Sequence, residues 1–127
     1  MSLSHVRQGF GSVRPYVHGP HSLWALLKEA FGAIERERQQ MGTNAVHIEA
    51  QIGDSMIVLE LADPPHASAT RASIYVYVPD VDSAYEIALR HGAESVAAPA
   101  DKPYQERSAG VTDGLGNTWW ISTFHAS

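Results

Sequence analysis

The 127 residues predict an α+β domain made of one βαβββ unit written twice, and three observations carry that reading. A helical pattern occurs twice, each time after a strand-like run and before a hairpin-like pair of runs. Landmarks recur at a near-constant offset: Val17 to Val78 spans 61 residues, Gly32 to Gly92 spans 60 and Asp54 to Gly116 spans 62. The composition is that of a single folded domain, with 44% hydrophobic and 18% charged residues, far from the balance of disordered chains. One half of about 60 residues buries little by itself. Two halves packed edge to edge would share a core and leave their helix-free faces curved around a cup.

The elements follow in order. Residues 12–18 (SVRPYVH) alternate apolar and polar like a strand, and Pro15, with no N–H, confines it to an edge. Residues 21–32 place Leu23, Leu26, Leu27, Ala30 and Phe31 at helical spacing, with Ser22 as N-cap and Gly32 as the stop. Residues 33–41 (AIERERQQM) alternate charges with no apolar face and predict a weak edge strand. Residues 45–52 and 55–61 are two strands joined by Gly53-Asp54, a two-residue hairpin signal. The stretch 62–72, rich in Pro, Ala and Ser, reads as a linker. It separates a first module near 12–62 from a second near 73–125 within one domain, 1–127. Residues 73–78 (SIYVYV) are a strand. Residues 80–92 are a helix capped at Asp80 or Asp82, with Val81, Ala84, Tyr85, Ala88 and Leu89 as its apolar positions. Residues 93–98 form a weak strand and 99–105 a loop. Residues 106–112 and 118–124 flank the turn 113–117 as a second hairpin.

Composition also limits function. The net charge is -5, and the basic residues Arg36 and Arg38 alternate with Glu35 and Glu37, so no polyanion or nucleic-acid partner is expected. No apolar run approaches the roughly 18 residues of a membrane-spanning helix. The N-terminus has no apolar signal region, and cysteine is absent, which leaves a cytoplasmic location as the expectation. The absence of cysteine removes thiolate metal sites and cysteine nucleophiles.

Strand parity sorts the candidate site residues. Tyr16 and His18 in the first strand, and Tyr75 and Tyr77 in the fifth, point toward the cup. So do His47 and Glu49 on one side of the first hairpin, and Val58 and Glu60 on the other. The two-residue turn sets His47 opposite Glu60, a pairing that raises an imidazole pKa and fixes its tautomer, suited to a general base or a ligand anchor. His47 and Glu60 are therefore the catalytic candidates. His18 and His21 bracket Gly19-Pro20 and read as a loop. Trp119 and Trp120 point to opposite faces, so one falls in the core and the other enters the cup; opposite Trp120 stands Gly110, which leaves it space. In the cup, Trp120 would line an aromatic pocket with Tyr16, Tyr75 and Tyr77, suited to a flat or amphipathic organic ligand. Tyr104 and Arg107 lie in PYQER. Arg107 would hold an anion bidentately or else pair with Glu106 or Asp101.

The doubled module, the stretch VPDVDSAYEIALRHGAE and the closing DGLGNTWWIST resemble the vicinal-oxygen-chelate superfamily, the glyoxalase, bleomycin-resistance and dioxygenase group. RPYV, HIEAQIGDSMIVL, PYQER and GNTWWIST are similar to its PhnB-like branch, and the resemblance covers residues 12–125. It implies paired modules forming a U-shaped mixed sheet around a ligand cup, usually in a homodimer, with Trp119 in the core and Trp120 in the cup. The family counterpart of PYQER, the segment of Tyr104 and Arg107, borders the cup. In the metal enzymes of the group, a divalent ion held by His, Gln or Glu chelates the substrate and acts as a Lewis acid. Carried over one by one, the implied ligand positions are Ser12, Val58, Ser73 and Trp120. A Val and a Trp cannot supply the basic N or O donors a divalent cation needs. The expectation is therefore a metal-free protein without a cofactor that sequesters a small organic molecule, as a homodimer. Its rivals are a lyase or isomerase, using one divalent metal at a displaced site or the His47/Glu60 pair, and a scaffold or regulatory domain whose cup is filled by its own side chains.

Overall fold

The computed structural model describes residues 2–125. The strands are β1 (Tyr16–Gly19), β2 (Ile34–Met41), β3 (Ala45–Ile52), β4 (Ser55–Ala62), β5 (Ser73–Tyr77), β6 (Glu94–Lys102), β7 (Glu106–Thr112) and β8 (Thr118–Phe124). Helix α1 (Leu23–Phe31) follows β1, and α2 (Val81–Arg90) follows β5. Two four-stranded mixed sheets result, ordered β1-β4-β3-β2 and β5-β8-β7-β6. In each, the first strand runs parallel to the last, and the other neighbours are antiparallel. This is the predicted α+β architecture, with the same strand order in both halves.

One face of each sheet is covered by a helix. Val17, Ile48, Ala50, Leu59 and Leu61 of the first sheet bury with Leu23, Leu26, Leu27 and Phe31 of α1. Val111, Trp119 and Ile121 of the second bury with Val81, Ala84 and Ala88 of α2. Gly32 stops α1 because it takes a left-handed φ of 70° while its N–H bonds back to Leu27 and Lys28, a turn that costs a Cβ-bearing residue strain. The two halves meet through helices packed on each other, with the rings of Phe31 and Trp119 5.4 Å apart. The hydrogen-bonded ladders end at β1 and β5, so one chain holds two separate sheets rather than one continuous U.

Three boundaries differ from the sequence reading. The strand expected at 12–18 begins only at Tyr16 and runs to Gly19. Pro15 has no N–H to join the ladder, and Arg14 is drawn away by the carbonyls of Arg7, Phe10 and Gly11. The strand expected at 93–98 continues as β6 through most of the expected loop, to Lys102. It passes Pro99 by register shifts between Ser95 and Ala97 and between Ala97 and Ala100, which an edge strand tolerates. Ser22 makes no capping hydrogen bond and already has helical dihedrals, whereas Asp80 caps α2 through the N–H of Ser83.

The turn 113–117 joins the modules. Asp113 Oδ1 accepts from the backbone N–H groups of Leu115, Gly116 and Asn117, and Asp113 Oδ2 accepts from Trp119 Nε1 at 2.8 Å. The buried Asn117 amide donates to the carbonyl of His18 at 2.8 Å and accepts from the N–H of Ala72 at 2.8 Å. One side chain thus binds the first module, the linker and its own hairpin.

Candidate functional site

The uncovered face of the first sheet carries three residues in one transverse row, because β1, β4 and β3 are in register at His18, Glu60 and His47. The Tyr16 hydroxyl donates to Glu60 Oε1 at 3.1 Å. His18 Nε2 lies 3.4 Å from Glu60 Oε2, and the two rings sit 5.1 Å apart. The predicted register of His47 and Glu60 is therefore present, but the side chains do not pair. His47 Nε2 turns along its own strand to Glu49 Oε2, and Glu60 is taken by its parallel neighbours on β1. The imidazole–carboxylate pair at Glu60 is His18, which the reading of 18–21 as a loop had set aside. Parity alone had placed His18 on this face.

Glu49 is the centre of a second group. Its Oε1 accepts from Arg14 at 2.6 Å, and both side chains are nearly buried. Arg14 Nε donates to the carbonyl of Gly11 at 2.7 Å, and its second terminal nitrogen to the carbonyl of Phe10 at 3.0 Å. Arg7 pairs with Glu37 on β2, and Gly11 lies against Met56. Residues 7–14 therefore cover part of the first sheet's open face. Nothing in the hydrophobic pattern of this segment signals that; its only mark is an arginine placed before a proline.

On the second sheet the open face carries Tyr75 and Tyr77 of β5, Trp120 and Ser122 of β8, and Glu106 and Ser108 of β7, as parity requires. The Tyr77 hydroxyl donates to Glu106 Oε2 at 2.5 Å, and the Tyr75 hydroxyl donates to Glu106 Oε1. The tyrosine rings lie 5.5 Å apart, edge to face. Trp120 Nε1 donates to Ser73 Oγ at 3.1 Å, and its ring covers Gly110, where a Cβ would stand 2.7 Å from a ring carbon. Gly110 is needed for that close approach. Trp119, on the opposite face, is fully buried.

Three predicted residues lie apart from this set: Tyr16, expected to line one pocket with Tyr75, Tyr77 and Trp120, stands on the first sheet with Glu60, and Arg107 and Tyr104 lie elsewhere. Arg107 points to the helix side, where it pairs with Asp82 of α2 at 3.0 Å and Asp101 at 3.2 Å; its neighbour Glu106 takes the open face, as alternation demands. Tyr104 sits exposed in the turn between β6 and β7.

The phenol–carboxylate cluster shifts its own titration. Hydrogen bonds from Tyr75 and then Tyr77 hold Glu106 below the ordinary carboxylate value, against the opposing effect of burial. The bond to Glu106, followed by burial, pushes Tyr77 up to about 12. A lowered carboxylate stabilises the fold above its unfolded value and loses that contribution as pH falls through the folded value. A raised phenol stabilises the fold below its unfolded value and loses that contribution as pH climbs toward 12. A spectrophotometric titration should show one tyrosine ionising near 12, and Glu106→Gln should return it toward an ordinary phenol value of about 10. An unchanged titration in that variant would refute the assignment.

The model of the Glyoxalase/Bleomycin resistance protein/Dioxygenase superfamily matches residues 9–121. The chain belongs to this superfamily. No curated protein sequence matches it. Among solved structures, it is similar to TioX from Micromonospora sp. ML1, with 22% identity, a TM-score of 0.63, and coverage of 91% of this chain and 98% of that one. A fosfomycin resistance protein, FosX, from Listeria monocytogenes is 15% identical with a TM-score of 0.67, covering 91% and 94%. A glyoxalase/bleomycin resistance protein/dioxygenase family enzyme from Burkholderia phytofirmans PsJN is 18% identical with a TM-score of 0.62, covering 89% and 96%. At these identities the likeness is one of fold. The superfamily often binds a metal, and the residues here do not suit one. Among the described residues, no three His, Asp or Glu side chains are grouped to hold an ion. Ser12 precedes β1, Val58 is apolar, and Ser73 and Trp120 are bonded to each other. Among the described residues, no helix is long and apolar enough to cross a membrane.

Proposed function

We propose that this superfamily member is a small-molecule-binding protein of the PhnB-like branch. It holds an organic ligand without a metal, in a cup that a second copy of the chain completes in the cytoplasm. One observation carries the reading: the open face of the second sheet displays aromatic side chains to solvent. Tyr75 is 48% exposed, Tyr77 60% and Phe124 55%, with Trp120 half-buried beside them. A cup filled by its own side chains would bury these rings. Contiguous exposed aromatics mark a binding surface, and aromatic faces suit flat or amphipathic ligands. The second copy would cover this face, with a total interface above roughly 1,000 Å². If acid–base chemistry accompanies binding, the residues placed for it are His18 and Glu60.

The test is a thermal-shift screen of aromatic and amphipathic compounds, with tryptophan fluorescence and sedimentation. A binding compound at 100 times its dissociation constant should stabilise the protein by about 2.7 kcal/mol. Trp120→Ala should weaken binding by about 2 kcal/mol, and the protein should sediment as a dimer. A stoichiometric metal lost together with an activity would overturn the proposal, as would a broad library with no binder.

A further inference from the structure

We infer that the open face of the second sheet recognises an organic cation, an ammonium or guanidinium on an aromatic or amphipathic body, with Glu106 as its counter-ion. This rests on the ligand-binding reading above and names the class of ligand.

Glu106 is only 8% exposed, yet its partners are two phenols. Among the described residues, no Lys, Arg or His nitrogen pairs with it. The other two partly buried carboxylates of the open faces each have a nitrogen partner, whereas Glu94 is solvent-exposed. Glu49 has Arg14 and His47, and Glu60 has His18. A carboxylate withdrawn from water without a cation is costly. Here the withdrawal comes from the rings of Tyr75 and Tyr77 rather than from depth, since those rings are themselves half exposed.

Two neighbours could have supplied the charge. Lys102 stands opposite Glu106 across β6 and β7 but forms no ion pair with it. Arg107, next in sequence, is held on the far face by Asp82 and Asp101.

The polar valence of the cluster has one sign. Both phenol protons are donated to Glu106, and the Tyr75 oxygen also lies 3.4 Å from Ser108 Oγ, so the phenols offer an incoming group acceptor lone pairs rather than protons. Ser108 and Ser122 bond to each other. An incoming donor-rich group finds acceptors, while an anion finds a carboxylate. Around these acceptors stand the rings of Tyr75 and Tyr77, with Phe124 opposite Glu106 and Trp120 opposite Tyr75 in the ladder. Aromatic faces attract cations, so rings and carboxylate select the same ligand.

The test compares three probes of one size at neutral pH: phenethylamine as cation, 2-phenylethanol as neutral analogue and 3-phenylpropanoate as anion. Binding is read by NMR at the Trp120 indole N–H, identified with Trp120→Phe, in the full chain. The cation should bind about tenfold more tightly than the alcohol, the factor set by one charge-assisted hydrogen bond, and the anion more weakly than either. Glu106→Gln should bring the affinities for cation and alcohol together, with the indole N–H signal of Trp120 retained as the check that the fold persists. Lys102→Met should not lower cation affinity.

Equal binding of cation and alcohol in the unaltered protein would overturn the cation assignment and leave the aromatic-ligand reading standing. A preference that emerges only in Lys102→Met would also overturn it, because Lys102 would then be the counter-ion. So would a loss of dimer in Glu106→Gln without cation preference, because the second copy would then supply the charge. If none of the three probes binds, the cation assignment falls, and the ligand-binding reading falls with it only when the broad library also yields no binder.

Discussion

Trp119→Ala should destabilise the fold by about 3–5 kcal/mol, the cost of truncating a large core side chain. Trp119 is fully buried, lies 5.4 Å from Phe31 across the module boundary and donates its N–H to Asp113. The substitution removes packing from both modules and leaves one oxygen of a buried carboxylate short of a donor. Such losses are a large share of a total that is about 5–15 kcal/mol for a domain. Trp119→Phe separates the two contributions, since it keeps most of the ring volume and removes the N–H; it should recover more than half of the loss. Denaturant unfolding with a constant m-value measures both. A loss under about 1 kcal/mol for the alanine variant would mean that Trp119 does not hold the halves together.

The second large effect is expected at Arg14. Replacing it by Met should cost about 3 kcal/mol, in the range for removing one partner of a buried ion pair. Glu49 would keep only His47, and residues 7–11 would lose the bonds that tie their carbonyls down. Arg14→Lys should rescue little, because one ammonium cannot reproduce the guanidinium fork that reaches three carbonyls and a carboxylate. Amide exchange supplies the local readout: protection in residues 7–13 should fall further than protection in β7 and β8. Equal losses in both regions would show that Arg14 acts on global stability alone.

Much of the fold was written in periodicity. The helices show because Leu23, Leu26, Leu27, Ala30 and Phe31, and Val81, Ala84 and Ala88, repeat at the helical period and are the residues buried. The hairpin registers follow from two short turns, so the pairing of His47 with Glu60 and of Gly110 with Trp120 could be counted. What could not be counted is where a side chain turns within its face. His47 has Glu60 across the ladder and Glu49 two residues on, and alternation does not choose between them. The length of β6 was hidden because Pro99 reads as a breaker, whereas an edge strand can carry it at an irregularity. The role of Arg14 was hidden because three of its four partners are backbone carbonyls, which have no letter in the sequence.

The irregular edges have a consequence for how copies of this chain can meet. The outer strand of the first sheet, β2, is interrupted between Glu35 and Glu37 and carries alternating charges. The outer strand of the second, β6, is interrupted twice and contains Pro99. Bulged, charged or proline-bearing edges do not template further strands. The remaining edges, β1 and β5, pair without interruption but are only 4 and 5 residues long. Strand addition is therefore blocked on the flanks and confined to two short inner edges of one molecule. An association through those edges is limited to ladders of 4 and 5 residues, and it stays finite only where the same two copies cover both edges of each other.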